Sequence, residues 1–157
     1  MRNQRLATIV QALACSLWVG GGAILMAVAA PAAFRNAPDR SVAASIVGDM
    51  LSRWHVLAIA IPLGLLVFEI ARRRDANRAR LLLLSLALLL AAAQLAADMR
   101  IRSIRRDSSV AISSLERSDP VRRRFGVLHG ASSILMLGQI LLGAAVIGTT
   151  GNGERRS

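Results

Sequence analysis

Charged and apolar residues alternate in long blocks along this chain. Residues 6–34 and 125–153 are two runs of 29 residues without a charge. Between them lie residues 54–68 (15 residues, extending to Ala71 if Glu69 is tolerated) and 81–97 (17 residues). A membrane-crossing helix needs about 20 mostly apolar residues. Four such runs exclude a soluble globular domain and predict an all-α, integral membrane four-helix bundle with up-down-up-down topology. The expected spans are about 6–34, 54–71, 81–98 and 125–149, within one domain covering residues 1–157.

Local signals place the helix ends. The first helix should pass through Gly20-Gly21-Gly22, small residues that let neighbouring backbones approach in lipid, and Pro31 and Pro38 should end it. Asp39 and Ser41 can cap a second helix that begins well before its apolar zone. Val42, Ile46, Met50 and Trp54 continue it at helical spacing. Five Arg in residues 72–80 mark a short hairpin to the third helix. The pattern Ile101, Ile104, Ser108 and Ile112 carries that helix on to about Leu115. Ser118-Asp119-Pro120 then sets a capping Asp before a Pro in the first turn, and the fourth helix should run from Pro120 to about Thr150. The second and third helices thus extend beyond the membrane. Phe34, Trp54 and Phe125 sit at span ends on one side, as an interfacial belt would.

The charge balance changes the picture only through its location. Twenty Arg, no Lys and nine acids give a net charge of +11. The Arg residues lie between the apolar runs and Tyr is absent, so they flank a lipid bilayer, and nucleic acid is not an expected partner. Both termini share a side with the 72–80 hairpin, and all nine Arg on that side lie close to a span. Weighting by proximity predicts a multi-pass protein of the inner (plasma) membrane with cytoplasmic termini. The N-terminus imitates a secretory signal, but its apolar run is too long for a signal core. It should therefore be a retained first helix. The lone Cys15 forms no internal disulfide and reads as a small buried hydrophobe.

Titratable residues near the spans are few, and each is a candidate site. His55 lies two residues inside Arg53, and His129 five inside Arg124, on helices that run parallel. Asp98, where the third span exits, reaches the same depth. Neutral imidazole ligates metals and haem, and a carboxylate can ligate or orient it. His129 and His55 are thus candidate cofactor ligands, and His129 with Asp98 candidate metal ligands. The cofactor would be haem b or a transition metal, though the sequence requires neither. A polar seam between helices explains the same residues. Gly126 and Gly130 flank His129 and form a small-residue face, so His129 should point into the bundle, while His55 should sit at the interface beside Trp54. Glu69 has Arg72 and Arg73 within one turn. Gln11, Gln94 and Gln139 should hydrogen-bond between helices. No Ser-His-Asp spacing, phosphate loop, H-E-x-x-H or C-x-x-C motif occurs, so no residue set argues for an enzyme.

Three stretches carry a resemblance: residues 17–21 (LWVGG, with Trp18 and Gly20), 30–34 (APAAF, with Pro31 and Phe34) and 125–132 (FGVLHGAS). Their order resembles the transmembrane protein 205-like family of unassigned function. More distantly it is similar to the membrane domain of copper-resistance protein D and to membrane-bound, haem-carrying protoporphyrinogen oxidases. The resemblance implies a four-helix bundle, links to metal handling, and a helix-four histidine at His129. The chain lacks a histidine in its first span and any lysine, so the resemblance does not extend to oxidase activity. Two functional readings follow. One is a non-catalytic accessory or assembly subunit packing against a larger membrane complex. The other is a metal- or haem-handling protein using His129 with His55 and Asp98.

Overall fold

Three polar side chains set where helices begin. In the computed structural model, which describes residues 2–71, 77–108, 110 and 112–150, Asp39 Oδ1 accepts the backbone N–H of Ser41 (2.7 Å) and Val42 (2.9 Å). Asn77 Oδ1 does the same for Ala79 (3.0 Å) and Arg80 (3.3 Å), and Asp119 Oδ1 for Val121 (2.7 Å) and Arg122 (3.4 Å). Each satisfies first-turn donors that have no partner within the helix. The resulting elements are α1 (Arg2–Ile24), a π-helical turn (Leu25–Ala29), α2 (Ala30–Asn36), α3 (Arg40–Ala71), α4 (Arg78–Asp107) and α5 (Pro120–Thr150). A 3₁₀ turn (Ile112–Ser114) lies between α4 and α5.

Two boundaries differ from the sequence reading. Pro31 does not end the first helix. The widened π turn just before it relieves the clash a proline makes with the preceding turn, and the rod continues as α2. The break comes at Ala37, held extended (ψ 148°) by the following Pro38. At the other end, α4 stops at Asp107 rather than near Leu115. There Ser108 Oγ turns back onto Ile104 O (2.7 Å), the local bonding by which serine competes with helix continuation.

Four helical stretches are long and apolar enough to cross a membrane: Arg5–Asn36, Arg40–Ala71, Arg78–Asp107 and Pro120–Thr149. The chain is a multi-pass membrane protein. At 1.5 Å per residue, the 32 residues of α3 and 30 of α4 reach roughly 48 and 45 Å, beyond a hydrocarbon core of about 30 Å. The helices form a ring: α1 packs on α3 and α5, and α4 packs on the same two. Thus α3 and α5 stand at opposite corners.

Inward positions recur at alternating steps of three and four. On α4 they are Arg80, Leu84, Ala87, Ala91, Gln94, Asp98 and Ile101; on α5 they are Ser132, Met136, Gln139, Gly143 and Val146. This is the seam of a left-handed bundle. Its closest approaches fall at Gly22 and Gly143. A Cβ on Gly22 would lie 2.9 Å from Trp54, and one on Gly143 would lie 2.6 Å from Val19 and 3.2 Å from Trp18. By contrast, a Cβ on Gly20, Gly126 or Gly130 would meet nothing within 4 Å. The expected packing glycines therefore face outward, and the working ones lie on the heptad seam. Trp18 is fully buried, whereas Pro31 and Phe34 are exposed. Trp54 is no belt residue either: it is turned inward over Gly21 and Gly22. Large apolar side chains such as Leu13, Val56, Leu82, Val127 and Ile134 cover the outside, the surface a lipid bilayer solvates.

Candidate functional site

The inward seam of α4 carries three polar groups at different heights, and each meets a neighbouring helix. Nearest the α2–α3 connection, Asp98 lies between His55 of α3 and Ser132 of α5. Ser132 Oγ donates to Asp98 Oδ1 at 2.7 Å. His55 Nε2 lies 3.2 Å from Asp98 Oδ2, close but off hydrogen-bond alignment. All three side chains are buried. Serine and histidine both touch the carboxylate, so this is no nucleophile–base–orienter relay of the Ser-His-Asp kind. It is a carboxylate that ties α3, α4 and α5 together.

The two histidines therefore take the opposite places from those expected. His55 is 3% exposed. It is turned inward because the α3 seam broadens here, with Trp54 directed to α1 and His55 to α4. His129 lies one turn before Ser132 on the same face of α5 but is exposed. At that height the helices enclose a cavity instead of meeting, and His129 is left at its rim. Its ring stacks on Phe125 with centroids 6.1 Å apart and 9° between planes. The cavity, about 260 Å³, is lined by Leu25, Met26, Gln94, Asp98, His129 and Met136 among others. Asp98 and His129 thus share one space, while His55 reaches it only through Asp98.

Around this cavity, arginines clamp the ends of α3 and α4. Arg102 Nη2 donates to Ser52 Oγ at 2.5 Å, and Arg105 Nη1 donates to Ala44 O at 3.3 Å. In mid-bundle, Gln139 Nε2 donates to Gln94 Oε1, as the glutamine pattern suggested. Gln94 Nε2 and Gln139 Oε1 have no protein partner.

The third cluster was not anticipated. Glu69, fully buried, lies 3.6 Å from Arg80 through Oε2 and Nε, and its Oε1 accepts the backbone N–H of Asn77 at 2.7 Å. Arg80 Nη2 donates to Gln11 Oε1 at 2.6 Å. The expected partners of Glu69, Arg72 and Arg73, lie outside the described residues. Arg80 precedes Gln94 by two heptads, so the period that put Gln94 inside also put Arg80 there. The signal was present and was read as part of a basic loop.

Among the described residues, no group of three or more His, Cys, Asp or Glu side chains gathers to hold a metal ion. At about 260 Å³, the cavity is small against the roughly 300–1,000 Å³ of pockets that enclose drug-sized ligands. For a metal, Asp98 and His55 offer one oxygen and one nitrogen donor side by side.

The chain belongs to the family of the domain of unknown function DUF4149, which matches residues 13–107. That stretch holds Trp18, the His55–Asp98 contact and the Glu69–Arg80 pair, and it ends before α5. No curated protein and no solved structure matches the chain.

Proposed function

We propose that this DUF4149 protein is a non-catalytic accessory or assembly subunit of the inner (plasma) membrane, with both termini cytoplasmic, that packs against a larger membrane complex. One observation carries this reading. The polar groups of the interior are engaged with one another in separate clusters, and the apolar layer of Leu84, Ala87 and Ala91, each at 0% exposure, lies between Arg80 and Gln94 on α4. A transporter's proton or ion route would string titratable groups through the bundle. The cavity that Asp98, His129, Arg102 and Arg105 line is not lined by this apolar layer or by Arg80. Here the charges pin helices to each other. The outward-facing Gly126 and Gly130 leave α5 a small-residue face that a partner helix can approach closely.

The test is solubilisation of native membranes in mild detergent, followed by native electrophoresis and identification of the co-migrating chains. The expected result is a discrete complex larger than the protein in its own micelle, lost when Gly126 and Gly130 are replaced by Leu. Migration as the lone chain overturns the reading. The same preparation tests the alternative, metal or haem handling by His129 with His55 and Asp98. A Soret band, or stoichiometric metal lost in Asp98→Asn, would replace the accessory role with that one. The resemblance of residues 17–21, 30–34 and 125–132 to the transmembrane protein 205-like family fits either reading.

A further inference from the structure

A second crevice, of about 430 Å³, opens beside the His129 rim, where α3 and α5 begin and α4 ends. Three arginines line it, one from each helix: Arg40, Arg105 and Arg122. Among the described residues that line it there is no carboxylate. Two of the guanidiniums are held in place. Arg105 donates to Ala44 O and lies 5.3 Å over the Phe125 ring, and Arg122 donates to Leu115 O. A guanidinium has five N–H donors, so each is fixed with donors to spare. Three cations gathered from separate helices repel one another unless an anion joins them, and planar N–H forks match phosphate oxygens. The walls between them are apolar, with Phe34 and Ile112. Phe34, 49% exposed, continues that wall onto the bundle's flank.

We infer that this crevice binds the phosphate headgroup of an anionic phospholipid, whose acyl chains lie along the flank beside Phe34. The location favours a lipid over a free ion. The crevice lies at the end of the membrane-spanning helices, at the level where headgroups reside, and basic pockets between such helices hold anionic lipids. The inference does not rest on the accessory role, although the two sites adjoin: Gly126, on the proposed partner face, also lines the crevice.

The test uses the full chain in mild detergent, with native mass spectrometry counting retained lipid during titration with phosphatidylglycerol, phosphatidylcholine or inorganic phosphate. Phosphatidylglycerol should be retained at least about tenfold more tightly than phosphatidylcholine, the equivalent of one charge-assisted contact. Arg105→Gln and Arg122→Gln should each remove most of that preference. Arg40→Gln, at an exposed position in the first turn of α3, supplies the same readout if either of those variants fails to fold. Arg100→Gln and Arg106→Gln, exposed on α4 outside the crevice, should leave it unchanged. Equal retention of the two lipids overturns the inference. So does an equal loss from the Arg100 and Arg106 variants, which would mark general surface charge. Displacement of the lipid by millimolar inorganic phosphate would mark a free-anion site instead and would also overturn it.

Discussion

Both ends of the bundle bury an acid beside a base, yet one pair is sealed off and the other opens onto a cavity. The groove of about 530 Å³ between α1 and α3 at the hairpin end is apolar but for Gln11 and is lined by neither Glu69 nor Arg80. At the hairpin end, Glu69 and Arg80 are joined by Gln11 and the backbone of Asn77, so helices α1, α3 and α4 close on a four-membered polar knot. At the opposite end, Asp98 ties together His55 and Ser132, but directly above it lie a cavity and a rim of arginines. The connections account for the difference. Six residues separate α3 from α4, and the cap of α4 is itself bonded to Glu69, which draws the two helix ends together. Twelve residues separate α4 from α5, and the helices there end at different heights. The same heptad seam of α4 thus yields a structural lock where the turn is short and an accessible site where it is long.

The sharpest way to break this comparison is to remove half of the sealed pair. Arg80→Leu leaves the Glu69 carboxylate without its cation in an interior of low dielectric, and Glu69→Leu does the converse. Each should cost about 3–5 kcal/mol, as removal of one partner from a buried ion pair does. The double substitution should recover much of the loss, because the desolvation penalty of both charges disappears with them. Denaturant unfolding in detergent, followed by Trp18 and Trp54 fluorescence, measures all three. Single variants that unfold like wild type would mean that water reaches this end and that it is not sealed.

The open end should respond less. Asp98→Leu leaves the Ser132 hydroxyl without its acceptor and removes the carboxylate beside His55, a loss of about 1–3 kcal/mol for a buried polar group without its partner. Water entering from the adjacent cavity can take up part of that demand, whereas the groove at the hairpin end is apolar but for Gln11 and is lined by neither Glu69 nor Arg80. The comparison fails if Asp98→Leu destabilises as much as Arg80→Leu in the same denaturant series.

The sequence made the architecture legible for one physical reason: lipid imposes length and apolarity on every span, and those are countable. The capping Asp39 and Asp119 were equally plain, since a short polar side chain beside a helix start has one strong use. Side-chain direction was harder to read. A run that is apolar on all sides carries no amphipathic signal, so the inward face of α5 could not be told from its outward face. Gly126 and Gly130 were therefore placed inside when the close approach is at Gly143. Arg80 shows the same limit at a loop: among five arginines in nine residues, only its heptad relation to Gln94 sets it apart in the sequence. The Asp98 site was half legible. Depth brought His55, Asp98 and His129 into one layer, but the cavity that separates His129 from the other two is a property of helix divergence, which no local pattern encodes.

The two histidines offer the finest cut, because they lie at similar depth and differ only in what surrounds them. His55 is buried, directed to α4, and touches the buried Asp98; His129 stands on the cavity rim against Phe125. His55→Ala removes packed ring atoms and strips Asp98 Oδ2 of its neighbour, while Ser132 still satisfies Oδ1. The expected cost is about 1–2 kcal/mol. His129→Ala removes one face of an aromatic stack at an open position, and the expected change stays within about 0.5 kcal/mol. Paired unfolding curves decide between them, with His129→Phe as a control that keeps the stack. If His129→Ala proves the more damaging, the rim must close over that residue in the membrane, and the division into a sealed and an open end no longer holds.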